Sequence, residues 1–168
     1  MSLRIGLLSD THGWLDPSIW KYFDECDEVW HAGDVGSGSG ILEAIAQKKP
    51  LRAVYGNIDG PDIKSQVPLN QLFTVSHLKV LITHIGGYPG RYTARVKQLL
   101  KEHQPDLYIC GHSHILKVMP DQDRQLLHMN PGACGRHGFH KVRTLIRFDI
   151  SEQGEITQVQ AIELGKRT

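Results

Sequence analysis

Long apolar runs, paired cysteines and blocks of like charge are all missing from this chain, and each absence removes a class of protein. No window of the 168 residues approaches the roughly 20 apolar residues that a membrane span needs. The stretch Ile5-Gly6-Leu7-Leu8 follows a single arginine and stops near a carboxylate, too short for a signal peptide. Three cysteines, Cys26, Cys110 and Cys134, are odd in number and widely spaced, with no Cys-x-x-Cys pair. That spacing indicates neither a disulfide framework nor a cysteine zinc site, and a cytoplasmic, reducing location is expected. There is no lysine or arginine run, and a formal charge of +1 provides no footprint for a nucleic acid or an acidic membrane. Nucleic acid remains open only as a locally held substrate.

What is present looks globular. Hydrophobic residues at 40% and charged residues at 22% sit near the average for folded domains, and 168 residues suit a single domain over 1–168 with a substantial core. Ten histidines are the compositional oddity. The sequence leaves a homo-oligomer open.

Taken in order, strand-like and helix-like segments alternate. Leu3 to Ser9 reads as a buried strand, and Asp16-Pro17-Ser18 offers an N-cap with proline at the first helical position. Ile19, Trp20 and Phe23 give that helix its apolar side. Glu28 to Ala32 is a second strand, Ile41, Leu42, Ile45 and Ala46 mark a second helix ended by Pro50, and Leu51 to Tyr55 is a third strand. Residues 60–71 have turn composition, followed by a hairpin of Leu72 to Val75 and Lys79 to Thr83 around Ser76-His77. After the loop Ile85 to Gly90, an amphipathic helix through Tyr92, Val96, Leu99 and Leu100 ends near His103. Asp106 to Cys110 is again a strand. Beyond it, Leu116 to Met119, Arg124 to Met129, Val142 to Ile150 and Ile156 to Ile162 read as mostly antiparallel strands, with Asn130 to Gly135 as a turn-forming connection.

The strands share one habit: they end in Asp, Asn or His beside glycine. Asp10, Asp34 and Asn57 are 24 and 23 residues apart (34 minus 10; 57 minus 34), each just past a strand, which is the spacing of a βαβαβ unit. Parallel strands bring such ends to one edge of the sheet. His84 ends another strand, and Gly111-His112-Ser113-His114 follows a further one. The pairs Asp10/His12 and His112/His114 have i, i+2 spacing, which in an extended segment turns both side chains to one side. Asp10, His12, Asp34, Asn57, His84, His112 and His114 are therefore the candidate ligands. Seven oxygen and nitrogen donors exceed the needs of one transition metal and suit two, about 3.5 to 4 Å apart, if one carboxylate bridges. The prominence of imidazole favours manganese, iron, nickel or zinc over calcium.

The order Asp-x-His, Gly-Asp, Gly-Asn, His, Gly-His-x-His, together with Leu-Leu-Ser-Asp-Thr-His-Gly and Asn-Pro-Gly, resembles the calcineurin-like metallophosphoesterase superfamily and its small YfcE-like phosphodiesterase branch, from about Leu3 to Gly135. The resemblance implies a four-layer α/β/β/α sandwich with two metals at the strand ends. It implies that Asp10, His12 and His114 hold one metal, that Asn57, His84 and His112 hold the other, and that Asp34 bridges. Asp34 and Asn57 then count as catalytic. The implied activity is hydrolysis of a small phosphate ester, of the diester kind, by in-line attack of a metal-bridging hydroxide. Asn57 can give an amide hydrogen bond to the phosphate while its oxygen binds metal.

One departure bears on substrate choice. Many relatives follow Gly-Asn with a histidine that protonates the leaving group, and this chain has Ile58. Isoleucine donates no proton, so diesters or activated esters are expected, with His137 and His140 as substitute substrate contacts. Ile85 beside His84 narrows the expected pocket. For the other polar residues the plain readings are a buried structural His31, a turn His77, a helix-end His103, a strand-surface His128, a packing Trp14, surface charges Arg91 and Arg95, a buried Cys110 and an unpaired loop Cys134. Two rival functions remain open: a silent interaction scaffold like the related retromer subunit, and a metal-dependent nuclease. The scaffold subunit departs from the metal pattern at the first-arm histidine, whereas His12 is present here.

Overall fold

The computed structural model describes residues 1–168. Its elements are β1 (Leu3–Leu8), a 3-10 turn (Pro17–Ile19) running into α1 (Trp20–Phe23), β2 (Glu28–His31), α2 (Ile41–Ala46), β3 (Leu51–Ala53) and α3 (Pro61–Lys64). Then come β4 (Asn70–Val75), β5 (Leu78–Thr83), α4 (Ala94–His103), β6 (Leu107–Ile109), β7 (Leu116–Asp121), β8 (Leu126–Pro131), β9 (Val142–Ile150) and β10 (Ile156–Lys166). No helix is long and apolar enough to cross a membrane.

Ten strands form two sheets, in the orders β10-β9-β1-β2-β3 and β4-β5-β6-β8-β7. In the first, β1, β2 and β3 are parallel, as the strand-end spacing requires, and β9 joins β1 antiparallel. Their alternation separates two cores. Ile5 and Leu7 of β1 face the second sheet with Trp30, Val80, Ile82, Ile109 and Phe148. Leu8 and Val29 face outward under Phe23, Ile41 and Ile45 of the helices. Gly6 has to be a glycine, because a Cβ there would lie 2.6 Å from the Phe23 ring. On the far side Val96 and Leu100 of α4 cover Leu81 and Tyr108. The result is the α/β/β/α sandwich, with each fully buried Leu, Ile or Phe contributing about 1.5 to 3 kcal/mol.

Several sequence expectations need correction. The second sheet is parallel at its centre, β5 to β6 and β6 to β8, with antiparallel partners only at the edges. The cause is α4, which carries the chain back between β5 and β6 as a crossover. Residues 61–64 form the single turn α3, too short to show periodicity, around the buried Ile63. β8 continues through Asn130-Pro131 because β7 pairs with it to that point, and β10 continues past Ile162 to Lys166. Cys134 is an unpaired loop thiol as expected, buried against the outer core, and all three cysteines are free.

His128 is not on a strand surface. β8 lies between β6 and β7, so the ring is 1% exposed and stacks on Tyr108 at 5.2 Å. Burial pushes its pKa down to about 4. The folded state therefore binds fewer protons than the unfolded chain between pH 6.5 and about 4, and this contribution to stability is lost as pH falls through that window. His128→Phe keeps the stack and removes the titration. In urea melts, wild type should lose stability relative to this variant by at most about 1.4 kcal/mol per pH unit across the window. Parallel pH curves for the two proteins would contradict the assignment.

Candidate metal centre

The carboxyl ends of β1, β2, β5 and β6 meet at the same edge of the two sheets, and the loops leaving them carry the polar residues. They are not simply extended. Asp10, His12, Asp34, His112 and His114 have φ of 55°, 48°, 54°, 71° and 60°, all left-handed. Each such non-glycine residue costs of order 1 to 3 kcal/mol and persists only where its surroundings enforce it. Here the enforcement is a backbone lattice that continues past the strands. Asp10 N donates to Gly33 O (2.9 Å), His12 N to Asp34 O (3.0 Å), Gly111 N to His84 O (3.0 Å) and Gly135 N to Asp10 O (3.0 Å). Asp10 and His12 thus share a side through paired left-handed residues rather than through the alternation of an extended strand.

Two glycines let these loops close. A Cβ on Gly56 would be 2.1 Å from Asp34 Oδ1, and one on Gly111 would be 2.2 Å from Ser9 Oγ. Asp59, read in the sequence only as part of the Gly-Asn stretch, is the residue that fixes two of the loops together. Its buried carboxylate accepts Val35 N at 3.1 Å, Gly36 N at 2.8 Å and Gly56 N at 2.8 Å. The signal available in the sequence is its position two residues after Asn57.

At the centre are two carboxylates, each with one oxygen held by the scaffold. Asp10 Oδ2 accepts Ser9 Oγ (2.7 Å) and His112 N (3.1 Å), and Asp34 Oδ1 accepts Ile58 N (3.1 Å). The remaining oxygens face imidazoles. Asp10 Oδ1 lies 3.1 Å from His114 Nε2, 3.7 Å from His12 Nε2 and 3.8 Å from His84 Nε2. Asp34 Oδ2 lies 3.1 Å from His84 Nε2 and 3.4 Å from His12 Nε2. Two sets of donors result, Asp10/His12/His114 and Asp34/His84/His112, each with its ligand atoms within 4.8 Å of one another. Asn57 Oδ1 is 3.0 Å from His112 Nδ1.

The protonation logic decides what such sets fit. His84 Nδ1 sits 2.7 Å from Ala32 O; a carbonyl can only accept, so Nδ1 carries the hydrogen and Nε2 of the neutral ring is a lone pair. That lone pair points at a carboxylate oxygen. Asp10 Oδ1, His12 Nε2 and His84 Nε2 are buried without a hydrogen-bond partner. At a neutral His84 an acceptor faces an acceptor, which calls for a cation between them, and mixed imidazole and carboxylate donors suit a divalent transition metal. The electrostatics agree. Asp10, followed by Asp34, raises His12 to about 9. Burial works to raise both carboxyls, yet His114 and His12 around Asp10, and His12 and His84 around Asp34, hold them well below the carboxylate range.

The neighbouring residues divide clearly. His31 is buried and structural: Nδ1 accepts Gly33 N at 3.1 Å, Nε2 lies 3.0 Å from Thr11 Oγ1, and burial lowers it to about 4. Trp14 packs under the Arg136 guanidinium, 3.6 Å from the ring centroid. Arg95 is more than a surface charge, since it bonds Asn70 Oδ1, Thr83 Oγ1 and Ile85 O beside His84. His137 stacks on His12 with ring centroids 5.0 Å apart, and His140 Nδ1 is 3.2 Å from His114 Nδ1. A cavity of about 520 Å³ opens over the cluster, and its lining includes Asn57, Ile58, Ile115, His137 and Phe139. Ile85 borders a second cavity, of about 300 Å³, with Tyr55 and Leu69.

The profile of the calcineurin-like phosphoesterase superfamily domain matches residues 3–153. The chain belongs to that superfamily, a family of metal-dependent phosphoesterases. A protein from Methanothermobacter thermautotrophicus named "probable metallophosphoesterase" is 30% identical over 136 residues, 78% of this chain and 77% of its own length. A solved structure described as a novel archaeal phosphodiesterase is 28% identical with a TM-score of 0.71, covering 96% of this chain and 100% of that one. Vps29 from Entamoeba histolytica, solved with zinc, has a TM-score of 0.71 at 12% identity, covering 96% and 99%, which is a likeness of fold alone.

Asp59→Ala would strand three loop N–H groups, each costing about 1 to 3 kcal/mol if left unsatisfied. Urea unfolding should show a loss of at least about 2 kcal/mol, against a change within about 0.5 kcal/mol for the exposed Asp123→Ala. Equal, small effects for both would mean that Asp59 does not hold the loops.

Proposed function

We propose that the chain is a phosphodiesterase working with two divalent cations, one held by Asp10, His12 and His114 and the other by Asn57, His84 and His112, with Asp34 shared. The observation that carries this is the pair of buried carboxylates, Asp10 and Asp34, each with one oxygen facing imidazole nitrogens: Asp34 Oδ2 is within 3.4 Å of His12 from one donor set and 3.1 Å of His84 from the other. When bound, such cations supply a water ionised near neutral pH and neutralise phosphate oxygens during in-line displacement. Manganese, iron, nickel and zinc all suit these donors.

The chain's own residues then set the substrate. Asn57, exposed at the cavity edge, has an amide N–H₂ to offer a phosphate oxygen while its carbonyl oxygen faces the second donor set. His137, stacked on His12, lines the same cavity and is the histidine of its loop available to substrate. Ile58 donates no proton to a leaving group, so esters whose leaving groups depart unaided are favoured. Ile58, Ile115 and Phe139 are 45%, 60% and 103% exposed around the cavity, a surface suited to an apolar or aryl ester arm. The scaffold reading draws only on fold likeness, and it leaves the buried carboxylates and their imidazoles without a purpose. A nuclease would have to hold its substrate without the basic surface that a net charge of +1 does not provide.

Asp34→Asn should keep the far-UV circular dichroism of wild type and lower turnover of a bis-aryl phosphodiester with added Mn²⁺ by at least about 100-fold, since a ligand matters no less than the groups behind it. Near-normal turnover would refute the shared role. Alkyl phosphomonoesters should react about 10² to 10⁴ times more slowly than matched aryl diesters, the cost of having no general acid. Equal or faster monoester hydrolysis would overturn the diester assignment.

A further inference from the structure

His140 has no free ring nitrogen. Its Nε2 lies 2.8 Å from Gly135 O, and its Nδ1 lies 3.2 Å from Nδ1 of His114. Because a carbonyl oxygen only accepts, His140 Nε2 carries a hydrogen. Between the two facing Nδ1 atoms one donates and the other accepts. If His140 donated there as well, it would be a cation and a neutral His114 would carry its hydrogen on Nε2, the atom 3.1 Å from Asp10 Oδ1. If His140 accepts, His114 carries its hydrogen on Nδ1 and presents a lone pair from Nε2 to the Asp10/His12 set.

We propose that His140 is a positioning residue that locks His114 in the Nδ1–H tautomer, through a chain of two hydrogen bonds from His114 to His140 to the Gly135 carbonyl. The proposal rests on reading the cluster as a metal centre. It gives that centre an asymmetry. His84 is oriented by the backbone carbonyl of Ala32 directly, at 2.7 Å. His114 is oriented by another side chain, so its support can be removed without touching the second donor set.

The loop is built around this contact. Gly138 has φ 130°, and a Cβ there would come within 2.3 Å of His114 Nδ1 and 3.2 Å of His140 Nδ1, so only glycine lets the two rings meet. Gly135 binds the first arm through Asp10 O, and its own Cβ would be 2.3 Å from Thr11 O. At the other end Arg167 Nε donates to His140 O at 2.9 Å and Arg167 N to Lys141 O at 3.0 Å. Arg136 on Trp14 pins the middle. His140 is thus held on both sides, and its ring is set by its hydrogen bonds rather than left to solvent.

The test is calorimetric titration of the metal-free full chain with Mn²⁺. Wild type should bind two ions; His140→Phe, which keeps the bulk but accepts nothing, should weaken one of the two events by about 10- to 100-fold and leave the other unchanged. His140→Asn, whose Oδ1 sits one bond beyond Cγ as Nδ1 does, should recover most of the loss. In the wild-type Zn²⁺ complex, long-range ¹⁵N–¹H spectra should place the His114 hydrogen on Nδ1, a readout that needs no variant. A hydrogen on Nε2, or two unchanged binding events in His140→Phe, overturns the role of His140 alone. Failure of wild type to bind any ion overturns the metal-centre reading and this inference with it.

Discussion

The irregular loops at the carboxyl edge of the two sheets hold one electrostatic arrangement: buried Asp10 and Asp34, each with a carboxylate oxygen aimed at imidazole nitrogens of His12, His84 and His114. Buried charges are costly unless paired, and lone pairs facing carboxylates repel. A protonated His12, raised to about 9 by Asp10 and Asp34, is one way to satisfy the cluster. A pair of divalent cations satisfies it more completely, because every orphaned atom then gains a partner.

The sandwich makes that arrangement affordable in conformational terms. The βαβαβ half brings Asp10, Asp34 and Asn57 to one edge, and the parallel centre of the second sheet brings His84, His112 and His114 to meet them. Four of those residues, and His12 with them, are left-handed, and the backbone bonds among the loops, with Asp59 fastening three N–H groups, keep them so. Close approach comes from glycines that sit where any side chain would strike a ligand residue, at Gly56, Gly111 and Gly138.

Much of this was legible in the residues because strand ends in a parallel unit advertise themselves: an apolar run, then glycine, then Asp, Asn or His. The seven candidate ligands follow from that repetition. The conformation that unites them does not, since the i, i+2 rule assumes an extended chain and Asp10 and His12 are both left-handed. The role of Asp59 depends on loops that meet only in the fold, and His128 was hidden by local sequence that cannot tell an interior strand from an edge one. The parallel centre of the second sheet depends on which strands α4 connects across, a tertiary fact. By sequence, His137 and His140 read as substitute substrate contacts. The tie of His140 to His114 is visible only once Gly135 and Arg167 are seen to hold the ends of their loop.

The central claim is that the cluster holds two ions sharing Asp34. Anomalous diffraction from crystals grown with Mn²⁺ tests it most directly, because it locates ions without reference to activity. Two anomalous peaks are expected, one bounded by Asp10, His12 and His114, the other by Asn57, His84 and His112, with Asp34 reaching both. A single peak, or two peaks without Asp34 between them, would contradict the account.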